Sequence, residues 1–255
     1  MTTTRTRLSD NTILITGGSS GIGRALAEAF HDLGNQVIVT GRRQPLLDEM
    51  MAKRPGLTGI TADVTDTASL ARAAEEIHSR FPGLNMLIAN AGISASEDMT
   101  SGDWNASAAE ALVQTNIMGV IRSVAAFLPV IREQPGATIM ATSSNLAFIP
   151  RADFPTYCAT KAFLHSWVQS LRHQLRHVPV EVLELSPPYV QTALTGTQQM
   201  SDPRAMPLDD YVTEVMQLLR SGNHPRGELL VARDQARRWA EREGRYDDLY
   251  ATINP

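Results

Sequence analysis

The sequence predicts an α/β fold of three layers, in which a central parallel sheet of about seven strands lies between two layers of helices. Short apolar runs alternate with longer amphipathic stretches along most of the chain, and this alternation is typical of a doubly wound parallel sheet. The run 84–89 is apolar almost throughout, as expected of a strand that is covered on both faces. The chain of 255 residues is long enough to build one full core, so we expect a single domain over residues 1–255.

The predicted elements follow one another with few interruptions. Strands are expected at residues 12–15, 36–40, 57–64, 84–89, 137–142, 180–185 and 228–231. Helices are expected at residues 24–33, 45–53, 68–80, 105–132, 157–175 and 207–220. Asp66 precedes the third of these helices and is expected to cap it, because an aspartate side chain accepts hydrogen bonds from the free N–H groups of a first helical turn.

Three segments lie outside this alternation. Residues 1–10 are rich in Thr and Arg and are expected to form a disordered tail. Residues 234–255 are highly charged and are expected to form a solvated tail without a chemical role. The polar segment 189–206 would overhang the carboxyl edge of the sheet, where ligands bind in open α/β folds. We interpret it as a mobile substrate lid, with a plain connection as the alternative.

Composition excludes several functional classes. A net charge of −4 argues against a nucleic-acid partner. The single cysteine, Cys158, excludes an internal disulfide and is typical of a reducing compartment. We see no apolar run near the ~20 residues of a membrane span, and the first residues lack the core of a signal peptide. We therefore expect a soluble cytoplasmic protein with a small-molecule substrate and no membrane partner.

A glycine-rich turn follows the first predicted strand. Residues 16–23 read Thr-Gly-Gly-Ser-Ser-Gly-Ile-Gly and precede an amphipathic helix. Glycines permit a tight turn and close backbone approach, and a helix N-terminus offers free N–H groups to a pyrophosphate. The residues expected to bind a dinucleotide here are Gly17, Ser19, Ser20, Gly21, Ile22 and Gly23.

A second motif lies on a later predicted helix. Tyr157 and Lys161 are four residues apart, so they share one helix face. A cation about 4 Å from a phenol is worth up to ~4 kcal/mol at an effective dielectric near 20, enough to lower the phenol pKa by up to ~3 units. Such a tyrosine could exchange protons at neutral pH, and Ser144, after the 137–142 strand, could hold a substrate oxygen beside it. Taken alone, the Tyr–Lys pair is more often a surface feature.

Together the motifs resemble the short-chain dehydrogenase/reductase superfamily in its single-domain Rossmann form. The resemblance extends from about residue 11 to residue 231. It depends on the 16–23 turn, Asp63-Val64, Asn90-Ala91-Gly92, Asn116, Ser144, Tyr157, Lys161 and the 187–192 turn. The stretch 155–162 and Pro187-Pro188 further resemble one branch, the DltE-like oxidoreductases, which are named for an association with D-alanine esterification of lipoteichoic acid.

The resemblance implies roles for several residues along the cofactor. Asp63 and the Val64 backbone would contact the adenine, with a plain helix-start acid as the alternative for Asp63. Asn90, Ala91 and Gly92 would let the cofactor lie against the backbone of the fourth strand.

At the nicotinamide end, Val190 and Thr192 would bind the carboxamide, and Lys161 the ribose beside Tyr157. Asn116 would join the catalytic set by orienting a relay water. Where the family commonly has Pro-Gly, this chain has Pro187-Pro188, and the second proline removes a backbone donor beside the nicotinamide.

The end of the second strand predicts the cofactor preference. Dinucleotide folds that select NAD carry an acid there, which repels a 2′-phosphate. This chain has Gly41 at that place, followed by Arg42 and Arg43, and a planar guanidinium is suited to phosphate. We expect NADP with NADPH preferred over NADH, the alternative being that both arginines are solvated charges.

We therefore expect an NADP-dependent alcohol dehydrogenase or carbonyl reductase, with Tyr157 as general acid and base. Arg151 leaves room for an acidic substrate group, whereas a set of apolar residues favours an apolar carbonyl. That set is Leu146, Phe148, Phe154, Tyr189 and Leu194. The alternatives are a cofactor-binding regulatory or scaffold protein without turnover, and a sugar-nucleotide epimerase or dehydratase.

Two other patterns in the sequence do not predict a chemical site. His173 and His177 have the spacing of a zinc pair, but Gln174 stands where a metalloprotease motif needs a glutamate, so we expect no metal. Cys158 lacks an adjacent histidine, so we interpret it as a packing residue.

Phe163 and Trp167 lie on a flank of the Tyr157 helix that a monomer would expose, which predicts a homodimer or homotetramer.

Overall fold

The computed structural model describes residues 6–255 and contains a parallel sheet of seven strands in the order β3-β2-β1-β4-β5-β6-β7. The strands are β1 (Thr12–Thr16), β2 (Gln36–Gly41), β3 (Thr58–Thr61), β4 (Leu84–Ala89), β5 (Ala137–Thr142), β6 (Val180–Leu185) and β7 (Glu228–Leu229). The helices are α1 (Gly21–Asp32), α2 (Gln44–Lys53), α3 (Thr67–Arg80), α4 (Ser107–Leu112), α5 (Gly119–Ile131), α6 (Pro155–Gln174), α7 (Leu208–Ser221), α8 (Gln235–Arg238) and α9 (Tyr246–Ile253). The predicted doubly wound α/β fold is confirmed.

Alternate residues of the central strands supply two separate cores. Ile13 and Ile15 of β1 pack with Phe30 of α1 and Tyr211 of α7 on one face of the sheet. Leu14, between them, packs on the other face with residues of α3, α5 and α6. Side chains of a strand point alternately to opposite faces, so an unbroken apolar run is what a strand buried on both faces requires.

The strand order places a cleft at the carboxyl edge of β1 and β4. The chain winds from β1 to β2 and β3 in one direction, and from β4 onward in the other. The connections that leave β1 and β4 therefore diverge, and a crevice opens between them, which is the usual ligand site in such sheets.

Several element boundaries differ from the prediction. The third strand covers Thr58–Thr61 rather than residues 57–64, and the last contains only Glu228 and Leu229. The helix predicted at 105–132 is interrupted by a π-helical turn, Val113–Met118. The predicted cap is confirmed, because the Asp66 side chain accepts hydrogen bonds from the Ala68 and Ser69 amides.

Within the described residues, one helical stretch is long and apolar enough to span a membrane. An 18-residue window within Ser107–Ile131 has a mean hydropathy of 1.4, which corrects the expectation that no such run exists. The α5 part packs against β4, β5 and α3, as the core helix of a globular domain does. Length and composition here are weak evidence for a membrane span.

Both terminal segments contact the body of the protein. Residues 1–5 of the predicted N-terminal tail lie outside the described part of the chain, but Thr6 is buried and contacts Thr138 and Glu181. The C-terminal segment is not the solvated tail expected from its charge. Asp234 is buried, and Asn254 bonds the backbone of Pro150 and Ala152.

Candidate active site

A cavity of about 470 Å³ lies at the carboxyl edge of the sheet. It brings together nearly all the predicted site residues from segments far apart in the chain. Those that line it are Gly17, Ser19, Ser20, Gly21, Ile22, Arg42, Arg43, Asp63, Val64, Asn90, Ala91, Gly92, Ser144, Tyr157, Lys161, Pro187, Val190 and Thr192. Gly23 and Asn116 lie just behind this lining.

The glycine-rich turn packs too tightly for side chains at two positions. Gly17 has a φ of +65°, and a Cβ there would come within 2.7 Å of the Ala91 Cα atom. A Cβ on Gly23 would meet the Asn90 side-chain nitrogen at 2.4 Å. These contacts hold the turn against the end of β4, so Gly23 shapes the cavity without lining it.

The N-terminus of α1 points its free amides at the cavity. Ser20 precedes the helix in an extended conformation, and within residues 6–255 no side chain caps the first turn. Gly21 and Ile22 of that turn line the cavity. Uncapped N–H groups at the positive end of a helix dipole form an anion-binding site.

Two arginines and one acid form the far end of the cavity. Arg42 and Arg43 are exposed at the end of β2, and Arg43 donates to Ser20 Oγ at 3.0 Å. Burial would raise the Asp63 pKa, but hydrogen bonds from Thr65 and the charge of Arg42 outweigh burial and hold that pKa below its ordinary value. Asp63 therefore stays ionised at neutral pH.

Asn90 connects three strands beneath the cavity floor. Its side-chain nitrogen donates to the backbone oxygens of Thr16 and Gly17 at 3.3 and 3.4 Å. Its side-chain oxygen accepts from Thr142 Oγ1 at 3.3 Å. Asn90 thus fixes the ends of β1, β4 and β5 relative to one another, in addition to lining the cavity.

Tyr157 and Lys161 share one buried face of α6, as predicted. Tyr157 is 7% exposed, and Lys161 Nζ lies 5.6 Å from the centre of the phenol ring. The expectation of a phenol pKa below its ordinary value is wrong in this structure. Burial raises the Tyr157 pKa above its ordinary value, and the neighbouring Ser144 hydroxyl opposes that rise only in part. The phenol is therefore protonated at neutral pH.

Lys161 is held at the end of β5. Its Nζ donates to the Thr142 carbonyl oxygen at 2.9 Å. Burial lowers its pKa from 10.5 to about 8, because charge is disfavoured where water is excluded. The ammonium is thus charged at neutral pH but close to its titration point.

Asn116 lies in the π-helical turn and is fully buried. Its Oδ1 accepts from the Ile93 amide at 2.9 Å, and its Nδ2 donates to the Ile93 carbonyl at 3.0 Å and to Thr160 Oγ1 at 3.1 Å. Asn116 therefore fastens the loop after β4 to the Tyr157 helix. Its predicted role toward a relay water remains a prediction. The sequence carried no signal for the wider turn, which is frequent at functional sites.

The predicted substrate-contacting residues divide into two groups. Leu146 and Phe154 pack in the cluster around Tyr157, and Leu194 lines the cavity. Phe148 instead stacks edge-on against His165 at 5.0 Å, and the Tyr189 hydroxyl donates to Asp202 at 3.2 Å.

Arg151 is not a free cation at the site entrance. Its guanidinium binds both carboxylate oxygens of Asp153, at 2.9 and 2.5 Å. This correction removes the observation that favoured an acidic substrate group. Cys158 is 2% exposed and receives a hydrogen bond from the Arg151 amide at 3.4 Å, which agrees with its interpretation as a packing residue.

The lid segment has an ordered internal framework. Val190 and Met206 pair as a β-bridge at its base. Inside the loop, buried Gln199 donates to the Val190 carbonyl at 2.7 Å and accepts from the Thr195 amide at 2.8 Å. Gln199 also donates to Thr192 Oγ1 at 3.3 Å. The sequence gives no signal for Gln199, because a glutamine in a polar loop is not informative until its partners are known.

A buried ionic cluster outside the cavity was also missed. His165, Glu184 and Glu228 have ligand atoms within 4.8 Å of one another, whereas His173 and His177 are both exposed. Glu228 is bound at both oxygens by Arg238, at 2.7 and 2.9 Å, and Glu184 by His165 at 2.8 Å. Since these partners already satisfy the carboxylates, we interpret the cluster as a network of hydrogen bonds and one Arg–Glu ion pair joining α6, the last strands and the C-terminal segment.

Comparison with known proteins identifies the family. The family model described as short chain dehydrogenase matches residues 11–202. The uncharacterized oxidoreductase DltE of Bacillus subtilis is 36% identical over 251 residues, which cover 97% of this chain and 98% of that protein. The chain belongs to the short-chain dehydrogenase/reductase family. The predicted resemblance is thereby confirmed, and with it the oxidoreductase class.

Solved structures share the fold. A short-chain dehydrogenase from Burkholderia cenocepacia in complex with NADP matches with a TM-score of 0.81 at 22% identity, covering 97% of this chain and 98% of that one. A short-chain dehydrogenase/reductase from Burkholderia phymatum in complex with NAD matches with a TM-score of 0.80 at 22% identity, covering 96% of both chains.

Proposed function

We propose that this protein is an NADP-dependent reductase of neutral carbonyl compounds, with Tyr157 as the proton donor. The observation that carries the proposal is the grouping of Ser144, Tyr157 and Lys161 at one end of a cavity whose other end has an uncapped helix N-terminus and two arginines. Similar folds crystallised with NAD or NADP support a nicotinamide cofactor.

The residues present fit such a cofactor. The pyrophosphate would be held by the amides at the start of α1, which have no side-chain cap within the described chain. Gly17 and Gly21 leave the backbone accessible to it. The bound cofactor supplies the hydride, and the protein supplies geometry and electrostatics.

Three side chains would act on the substrate. Ser144 Oγ donates a hydrogen bond to the carbonyl oxygen and positions it beside the phenol. Tyr157, kept protonated by burial, gives its proton to the developing alkoxide. Lys161, charged below a pKa of about 8, stabilises the phenolate left behind. The protonated phenol is the form that reduction of a carbonyl requires.

The preference for NADPH comes from the end of β2. Gly41 leaves no acid to repel a 2′-phosphate, and a Cβ added there would meet Ser19 Oγ at 2.8 Å. Arg42 and Arg43 line the cavity beside it, and charge-assisted bonds from guanidinium to phosphate are among the stronger ones, about 1.5–3 kcal/mol each.

The substrate end of the cavity favours a neutral carbonyl. Within residues 6–255, the only cation lining it near Tyr157 is Lys161, and the neighbouring wall includes Ile93, Pro188 and Leu194. Arg151 is paired with Asp153, so a substrate carboxylate would find no free counter-charge there.

A matched pair of substrates tests the proposal. An aryl ketone and its carboxylated analogue are each mixed with NADPH, and cofactor oxidation is followed by absorbance while the alcohol is identified. We expect turnover with the neutral ketone at a kcat/KM at least tenfold above that of the acid. Absence of turnover across a panel of neutral aldehydes and ketones would refute the proposal.

A further inference from the structure

We propose that Asp234, in the C-terminal segment, is a positioning residue for Ser144 and acts through the side chain of Asn145. The inference rests on the proposed function of Ser144. It concerns a residue that the charge pattern of the tail had suggested was solvated, and it gives that tail a part in the active site.

A chain of hydrogen bonds connects the two residues. Asn145 Nδ2 donates to Asp234 Oδ1 at 2.8 Å, between side chains that are both buried. Asn145 Oδ1 faces Ser144 Oγ at 3.5 Å, and the Leu146 amide donates to the same Oγ at 3.1 Å. An ionised carboxylate only accepts hydrogen bonds, so Asp234 fixes which end of the Asn145 amide faces Ser144.

The orientation of that amide has a chemical consequence. With its oxygen turned toward Ser144, Asn145 can only accept from the hydroxyl. At 3.5 Å this bond is long and weak, so the hydroxyl hydrogen is held loosely and can turn to a ligand oxygen. In the flipped orientation, Asn145 Nδ2 would face Ser144 and donate to its Oγ. A lone pair of the Ser144 oxygen would then be used by Asn145, and the hydroxyl would no longer be oriented for a ligand oxygen.

Asn145 also anchors a second part of the site. Its backbone amide donates to the Pro187 carbonyl at 3.0 Å, in the turn that lines the cavity. One residue thus joins Ser144, the Pro187 turn and the C-terminal segment, and Asp234 fixes its side chain from behind. A change at Asp234 would therefore be felt at Ser144 although Asp234 lies outside the cavity.

Asp234 is buried at a cost to the fold. It is 2% exposed, and its Oδ2 has no hydrogen-bond partner among residues 6–255. Burial raises its pKa from 3.8 to about 6, against the bond from Asn145 and the charges of Arg237 and Arg233, while Glu214 of α7 adds to the rise. The other ionisable group facing it from α7 is the buried Tyr211 hydroxyl.

The direction of the Asp234 pKa shift predicts opposite effects of a substitution on stability and on activity. An acid whose pKa is higher in the folded than in the unfolded state destabilises the fold increasingly as pH rises from about 4 to about 6. Asp234→Asn should therefore raise the Tm of the protein at pH 8. The same substitution replaces a charge-assisted bond by a neutral one, so it should lower kcat by about 5-fold.

The test combines two readouts on the full chain. The backbone ¹H–¹⁵N resonance of Leu146, whose amide bonds Ser144 Oγ, is followed against pH in wild type and in Asp234→Asn. We expect a transition near pH 6 in wild type that is absent from the variant. In parallel, kcat for ketone reduction should fall below pH 6 in wild type only, with an unchanged Kd for NADPH. Asp247→Asn, an exposed carboxylate in the same tail, is the matched control and should behave as wild type.

The outcomes are distinct. A Leu146 resonance that does not titrate, or that titrates equally in Asp234→Asn, overturns the link between Asp234 and Ser144. A titrating resonance with an unaltered kcat profile overturns the positioning role. If wild type reduces no carbonyl while Leu146 titrates as expected, the proposed function fails and the Asp234–Ser144 link stands.

Discussion

Lys161 shows at the scale of one residue how chemistry and stability oppose each other. Its pKa is lowered by burial to about 8, from 10.5. At about 1.36 kcal/mol per pKa unit, keeping it charged at pH 7 costs the fold roughly 3 kcal/mol. A group whose pKa is lower in the folded state gives a fold whose stability rises with pH, here from about pH 8 to pH 10.5.

Lys161→Met should therefore be more stable than wild type at pH 7 and inactive. The gain in free energy of unfolding is reduced because the Thr142 carbonyl loses its hydrogen-bond donor. At about 2–4 °C per kcal/mol, we expect a net rise of several degrees in Tm. Thermal unfolding without cofactor measures it, and the difference should shrink toward pH 10.5. Lys53→Met, at an exposed lysine, is the control. A variant less stable than wild type at pH 7 would contradict this account of the buried charge.

Arg42 is expected to determine the cofactor preference. In Arg42→Ala the ratio of kcat/KM for NADPH to that for NADH should fall ten- to hundredfold, the value of a charge-assisted bond of about 1.5–3 kcal/mol. Arg43→Ala should have a smaller effect, because Arg43 already donates to Ser20. Wild type that prefers NADH, or an Arg42→Ala variant with an unchanged ratio, would refute the assignment.

At the scale of elements, the loop 189–206 depends on one buried side chain. Gln199 holds Val190, Thr192 and Thr195 together through its amide. Gln199→Ala should raise the KM for NADPH several-fold with a smaller change in kcat, because the loop over the cavity loses its framework. The neighbouring Gln198 is exposed, so Gln198→Ala is the matched control. Equal kinetics for the two variants would show that the loop does not need this framework.

Local pattern was enough to predict most of the elements. The bounds of β4, β5 and β6 were predicted to the residue, because short segments rich in apolar side chains are typical of strands covered on both faces. The π-helical turn around Asn116 could not be predicted, since its widening accommodates tertiary contacts to Ile93 and Thr160. The predicted third strand, 57–64, extended too far, because only Thr58–Thr61 pair with β2.

At the scale of the whole molecule, the C-terminal segment was the least predictable part. Its charges indicated a solvated tail, but Arg238 and Asp234 find buried partners in Glu228 and Asn145. The Asp234–Asn145 contact joins residues far apart in sequence, and periodicity carries no information about such pairs. The site residues, by contrast, were predictable because strand ends and helix starts of this fold meet at one edge.

An exposed apolar surface on α6 predicts assembly. Phe163 is 40% exposed, whereas Trp167, expected beside it, is half-buried against the core. We propose a homodimer or larger homo-oligomer through this helix, in which a second copy covers the exposed part of the Phe163 ring. Phe163→Glu should lower the mass measured by light scattering, and Leu33→Glu, at a residue 37% exposed on α1, should not. A monomeric wild type at micromolar concentration would reject the proposal.

The central claim is that Tyr157 delivers the proton to a carbonyl oxygen, and Tyr157→Phe tests it most directly. Steady-state turnover of NADPH with the best neutral ketone is compared between wild type and this variant, together with the Kd for NADPH. We expect turnover to fall at least ~100-fold, the lower range for loss of general acid catalysis, with the Kd nearly unchanged. A folded Tyr157→Phe variant that keeps most of its turnover would contradict the account.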